Sequence, residues 1–137
     1  MSNYLQDIGF CNILLDARDL IQTDNSYRNA KVDWSRTTDC ITSKIIGNHC
    51  ITQGFLGCTS ENFTTTLGRE GSDFTAAILA FALQAKEVVI WKDVPGMMNA
   101  DPKHIEDAQL LDSISFDEAI EIAYFCLLYT SPSPRDS

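Results

Sequence analysis

The sequence lacks a cysteine framework: its five cysteines, at 11, 40, 50, 58 and 126, include no CxxC pair, and their odd number closes no full disulfide set. That pattern fits thiols kept reduced rather than a stapled secreted fold. His49 beside Cys50 has no second cluster of ligand types to complete a metal corner, so no metal ligand is assigned. Positive charge is also scarce, with 10 Lys and Arg against 19 Asp and Glu, a net charge of −9 and a pI near 4.4. Nucleic acid and anionic membrane are therefore excluded as main partners, although a few converging cations suffice for a nucleotide. No apolar run approaches the ~18 residues of a membrane span, and the opening MSNYLQDIGF has no signal-peptide pattern. Internal repeats and linkers are absent, as are GxGxxG and GxxxxGK[ST].

What remains is 137 residues with 45% hydrophobic and 21% charged content, the balance of one globular domain. Its informative stretch is TTTLGREGSDFTAAILAFAL, Thr64 to Leu83. Gly68 and Gly71 bracket Arg69 and Glu70, and Ser72 occupies the position expected of a helix N-cap. Behind it Phe74, Ile78, Phe81 and Ala82 recur at helical spacing, and Ala76, Ala77 and Ala80 permit close packing. Glycines let backbone N–H groups approach a ligand, and a helix N-terminus favours an anion by about 0.3–1 kcal/mol. Arginine adds a planar fork for a carboxylate or phosphate. The stretch reads as an anion site, and its spacing leaves the anion unnamed.

Around it the pattern is α/β. Tyr4 to Ile8 reads as the end of a helix closed by Gly9, and Asn12 to Asp16 as a buried strand. Residues 17–33 are turn-rich, with Thr23 to Ser26 as the foremost turn. Asp33 to Ile46 reads as a helix capped by Asp33 or Ser35 and stopped by Gly47. His49 to Phe55 reads as a strand that feeds the glycine loop, the local arrangement in which α/β sheets bind ligands. Glu87 to Trp91 reads as a further buried strand, Val94 to Met97 as a type II turn, and Leu110 to Ser113 as a short strand. Ser115-x-x-Glu118 is a capping box that opens a helix from Phe116 to about Phe125. The Ser/Pro-rich end, Tyr129 to Ser137, has no apolar periodicity and reads as a non-native-looking tail.

GFLGCTSENFTTTLGREGSD at 54–73 and EVVIWKDVPGMMNADPK at 87–103 resemble the aspartate kinases of the amino acid kinase family. The resemblance extends over roughly residues 4 to 125, and the TTLGREGSD block is its most specific part. It implies a three-layer α/β/α sandwich of the amino acid kinase (carbamate kinase-like) type, incomplete here. Residues 1–126 would be a partial catalytic domain, and 127–137 the tail. The family's opening lysine-glycine loop, its later Gly-Glu helix start and its ACT domains have no counterpart in the sequence, so the chain is expected to be inactive alone.

The resemblance implies phosphoryl transfer from ATP, with Mg²⁺, to the side-chain carboxylate of L-aspartate, on the route to lysine, threonine and methionine. That acceptor, with a pKa near 3.9, is already ionised at neutral pH, so catalysis asks for alignment and charge neutralisation rather than a base. Arg69 matches the residue that clamps the substrate α-carboxylate. Gly71, Ser72 and Asp73 match positions around the rest of the amino acid, with Asp73 facing its ammonium. Phe55 matches a residue beside the substrate, DARDLIQTDN lies beside the same pocket, and Glu70 stands where glycine is common and is expected to point outward. On the nucleotide side Lys92 and Asp93 match the pair near adenine and ribose. Met98 replaces a frequent tyrosine, and Lys103 replaces a usual arginine. A cytoplasmic, homo-oligomeric parent is implied. A sister kinase with another carboxylate, carbamate or phosphate acceptor, or a non-catalytic amino-acid or nucleotide-binding fragment, are the alternatives.

Overall fold

In the computed structural model, which describes residues 1–47, 49–91, 96–100 and 105–121, Gly9 ends the first helix where the sequence places a stop. Helix α1 spans Ser2–Asp7, and Gly9 follows with φ +86°, its N–H donating to the Gln6 carbonyl at 3.0 Å. Asn12 then ties α1 to the first strand, accepting from Ser2 Oγ at 2.5 Å and donating to the Phe10 carbonyl at 3.0 Å. Strand β1, Ile13–Leu15, pairs in parallel with β2, Cys50–Thr52, in the register Leu14 to Ile51. The expectation of a buried strand at 12–16 is corrected at both Ile13 and Leu14. Each is exposed, Leu14 at 57%, in a ribbon that has only two strands among the described residues.

The strand expected over 49–55 ends early, at Thr52. Gln53 turns its side chain to accept from the Ala17 N–H at 2.9 Å, and Phe55 adopts a left-handed φ of +74°. Beyond that corner lies a hairpin that the sequence reading lacks: β3, Leu56–Cys58, antiparallel to β4, Thr64–Thr66. Its tip is built by Thr59, whose hydroxyl accepts from the N–H groups of Glu61 at 3.3 Å and Phe63 at 3.2 Å, with Asn62 left-handed. The hairpin docks on residues 21–23 through Cys58 N–H to the Ile21 carbonyl at 2.9 Å and through a buried Thr23–Thr65 hydroxyl pair at 2.7 Å.

The turn expected at 23–26 is organised by Asp24, whose Oδ1 accepts from the Lys31 N–H at 3.0 Å and the Ser26 N–H at 3.1 Å. Those two donors hold its carboxyl below the ordinary carboxylate value. Of the two caps considered for the next helix, Asp33 is the one used: α3 spans Trp34–Lys44, and Asp33 accepts from the Arg36 N–H at 3.1 Å.

Helix α4 spans Gly71–Leu83 and buries Gly71, Thr75, Ile78 and Ala82, one stripe at helical spacing. Leu20, Ile21, Ile41, Leu67, Ile78 and Ala82 form the core, with Leu15, Val32, Ile45 and Leu79 packed against it. Phe74 and Phe81 belong to the outer side instead, edge-on to Trp34 with ring centroids 6.4 and 5.2 Å away.

A one-turn helix, α2 (Ala17–Leu20), is capped by Asp16, which accepts from the Arg18 N–H and pairs with the Arg18 guanidinium at 2.6 Å. Those bonds hold the Asp16 carboxyl at about 2, below its ordinary 3.8. A lowered carboxylate pKa stabilises the fold above the unfolded value and loses that contribution as pH falls through the folded one. The Asp16 contribution is therefore complete above about pH 3.8 and disappears toward pH 2. The expected ¹³C titration midpoint for the Asp16 carboxyl is near 2; an Arg18→Ala chain should move it toward 3.8, and no movement would remove the pair as the cause.

The chain divides into two compact units, Met1–Ile90 and Trp91–Ser137. The expected strand at 87–91 is not formed: Val88, Val89, Ile90 and Trp91 are all exposed, Trp91 at 89%. β-propensity is realised only against a partner, and none lies beside this run among the described residues. In the second unit, Leu110 makes one isolated antiparallel bridge to Met98 in place of the strand expected at 110–113. The Ser115–Glu118 capping box is present: Glu118 Oε2 accepts from the Ser115 hydroxyl at 2.7 Å and amide at 3.0 Å, opening a helix over 116–121. The 94–97 turn in part, the end of the last helix and the tail lie outside the described residues.

Candidate functional site

The loop between β4 and α4 is held from below before it reaches its exposed tip. Leu67 is buried, and its N–H donates to the Phe55 carbonyl at 3.0 Å. Thr66 is fastened to residues 27–30: its N–H donates to the Tyr27 carbonyl at 2.6 Å, and its carbonyl accepts from the Ala30 N–H at 3.0 Å. Gly68 follows with φ +80°, and the space where a side chain would project is filled by the Asn29 amide. A left-handed conformation with no room for Cβ is a glycine requirement on two counts. Arg69 and Glu70 form the exposed tip.

Ser72 is not the N-cap that its position suggests. The cap is Glu70, left-handed at φ +54°, and it makes no side-chain hydrogen bond to the helix. The loop enters the helix through this left-handed residue, so Gly71 already has helical geometry and Ser72 lies inside the first turn. The N-terminal dipole of a 13-residue helix thus opens beside the Arg69 tip without a side-chain cap. Asp73 is half-buried in that turn, and Glu70 is exposed.

The opposite wall is the corner after β2. A Cβ on Gly54 would stand 2.9 Å from Ser72 Cβ and 3.0 Å from its Cα, so corner and helix touch backbone to backbone. A Cβ on Gly71 would stand 2.5 Å from the Phe55 ring. Phe55, Gly71 and Ser72, expected together, are in fact brought together, and Arg69, Glu70 and Asp73 adjoin them in the chain. Arg69 forms no ion pair among the described residues, whose pairs are Arg18–Asp16 and Lys44–Asp19. A cation at an uncapped helix start can receive a carboxylate or a phosphate.

Met98 lies in the second unit, half-buried and bridged to Leu110. Lys92, Asp93 and Lys103 lie outside the described residues. A cavity of about 240 Å³ beside α4 is lined by Leu15, Leu20, Leu79 and Leu83 among others. Its walls are mainly aliphatic, with Cys50 and Thr52 as the polar exceptions, and carry no cation for an anion. Two residues escaped the sequence reading, Asn29 and Thr75. Thr75 falls on the buried stripe four residues after Gly71, and only that spacing hints at a role.

The profile of the amino acid kinase family matches residues 1–128. The chain is 40% identical over 114 residues to the lysine-sensitive aspartokinase 3 of Escherichia coli (strain K12), covering 80% of this chain and 25% of that protein. It is 37% identical over 119 residues to a chloroplastic bifunctional aspartokinase/homoserine dehydrogenase 2 of Arabidopsis thaliana, covering 81% of this chain and 13% of that one. In structure it is similar to E. coli aspartokinase III in complex with aspartate and ADP (R-state): TM-score 0.84 at 36% identity, over 90% of this chain and 28% of that chain. The chain thus spans about a quarter or less of the length of these relatives.

Proposed function

This chain belongs to the amino acid kinase family, and on that premise we propose that it is the amino-acid-binding part of an aspartate kinase catalytic domain. The reaction is transfer of the γ-phosphoryl group of ATP to the side-chain carboxylate of L-aspartate, giving 4-phospho-L-aspartate for lysine, threonine and methionine synthesis. The observation that carries the reading is the contact of the first turn of α4 with the Gly54–Phe55 corner, next in the chain to an exposed Arg69 that forms no ion pair among the described residues. The likeness to an aspartokinase solved with aspartate and ADP supports it.

In this role Arg69 takes the α-carboxylate and Asp73 the ammonium, while Phe55, Gly71 and Ser72 border the carbon chain. The acceptor carboxylate is ionised at neutral pH, so none of these groups needs to remove a proton. Their work is to hold one anion in line with another, a task of positioning and electrostatics. Lys92, Asp93, Met98 and Lys103 are assigned to ATP. Mg²⁺ would arrive on phosphate oxygens; the described residues contain no group of three His, Cys, Asp or Glu that could cage it. The parent enzyme is assigned to the cytoplasm and to a homo-oligomer.

The test is a titration of the ¹⁵N-labelled chain with L-aspartate. Saturable shifts of the amides of residues 68–73 and of Phe55 are expected, with smaller responses to acetylglutamate or uridylate. An unresponsive loop, or one that prefers either competitor, would overturn the assignment.

A further inference from the structure

We propose that Thr75 is a positioning residue for the amino-acid site: its hydroxyl holds Phe55 in a left-handed backbone conformation against the first turn of α4. The inference rests on the reading of this loop as an aspartate site. Thr75 is 3% exposed. Its Oγ1 donates to the Gly71 carbonyl at 2.8 Å and accepts from the Phe55 N–H at 2.9 Å. The first bond is a common one for a helical threonine, reaching back one turn. The second crosses twenty positions of sequence to the corner after β2.

That corner needs holding. Phe55 has φ +74°, a region that bulky side chains avoid and keep only where their surroundings impose it. Its carbonyl accepts from Leu67 N–H at 3.0 Å, immediately before Gly68, and its N–H is taken by Thr75, one turn into α4. The two peptide groups that flank the Phe55 Cα are therefore fastened to residues on both sides of the segment that carries Arg69. Gly54 and Gly71 make the fit unforgiving, since Ser72 and the Phe55 ring occupy the space that their side chains would need. Release of Phe55 moves the wall beside Ser72 and changes where Arg69 meets its anion.

Valine keeps the bulk of Thr75 and removes the hydroxyl; serine keeps the hydroxyl and removes the methyl. The full 137-residue chain is ¹⁵N-labelled and compared as wild type, Thr75→Val and Thr75→Ser by amide exchange at Phe55 and by L-aspartate titration. Thr75→Val is expected to exchange the Phe55 amide several-fold faster and to bind L-aspartate about fivefold more weakly, the loss of one neutral hydrogen bond. Thr75→Ser should stay within about twofold of wild type in both, because the bond is retained. A protected Phe55 amide and unchanged affinity in Thr75→Val would overturn the inference, as would a serine variant as weak as valine, which would make bulk the determinant. If Thr75→Val gives no dispersed spectrum, Thr75→Ser decides: a Phe55 amide exchanging like an exposed one sinks the proposal. A wild type deaf to L-aspartate overturns the ligand assignment alone, and Phe55 exchange then decides the role of Thr75.

Discussion

Replacing Arg69 with alanine is expected to weaken L-aspartate binding by about ten- to a hundredfold. A hydrogen bond to a charged group contributes about 1.5–3 kcal/mol, and each ~1.4 kcal/mol is a decade in affinity. Arg69 is exposed and forms no ion pair among the described residues, so its removal leaves the fold intact and the loss falls on the ligand. Some binding should survive, because the α4 dipole persists and contributes about 0.3–1 kcal/mol of its own. Arg69→Lys should recover only part of the loss, since an ammonium keeps the charge without the two-pronged geometry. The check is the dissociation constant from the loop-amide titration. An alanine variant with wild-type affinity would remove Arg69 from the site.

Ile78→Ala should cost about 2–5 kcal/mol of stability, the usual range for an aliphatic side chain truncated in a packed interior. Ile78 is fully buried at the middle of α4, within the cluster that joins α4 to α2 and α3 through Leu20, Ile21 and Ile41. A domain of this size has about 5–15 kcal/mol in total, so the change removes a large share of what keeps it folded. Urea unfolding followed by circular dichroism measures it. A loss below about 1 kcal/mol would mean that the core does not close on this helix.

What could be read from residues alone divides along a physical line. Helix α4 was legible through its apolar recurrence, although Phe74 and Phe81 fall on its outer side, and α3 through its Asp33 cap and Gly47 stop; these are local signals. The Ser115–Glu118 box was legible for the same reason. The cap of α4 was not: Ser72 has the right chemistry, but the chain enters the helix through a left-handed Glu70, between Gly68 against Asn29 and Gly71 against Phe55, a conformation that no propensity announces. The β3–β4 hairpin went unseen because its strands are three residues each and its Thr59-centred tip lacks the glycine of a tight hairpin turn. The run at 87–91 failed in the opposite direction, with strong β-propensity and no partner to realise it. At the candidate site, the glycine loop with Arg69, Gly71 and Ser72 was read from the residues, and Phe55 entered through the resemblance to aspartate kinases. The sequence could not supply Thr75, whose importance is a hydrogen bond between distant segments.

The ribbon of β1 and β2 has neighbours on neither flank among the described residues, and Leu14 faces water. Such a ribbon invites strand addition from a second molecule, whereas the net charge of −9 keeps molecules apart. Dissolved salt shortens the reach of that repulsion and leaves the apolar ribbon unchanged. Colloidal behaviour is thereby set by ionic strength: dilute buffer favours dispersed protein, and concentrated salt favours clumping.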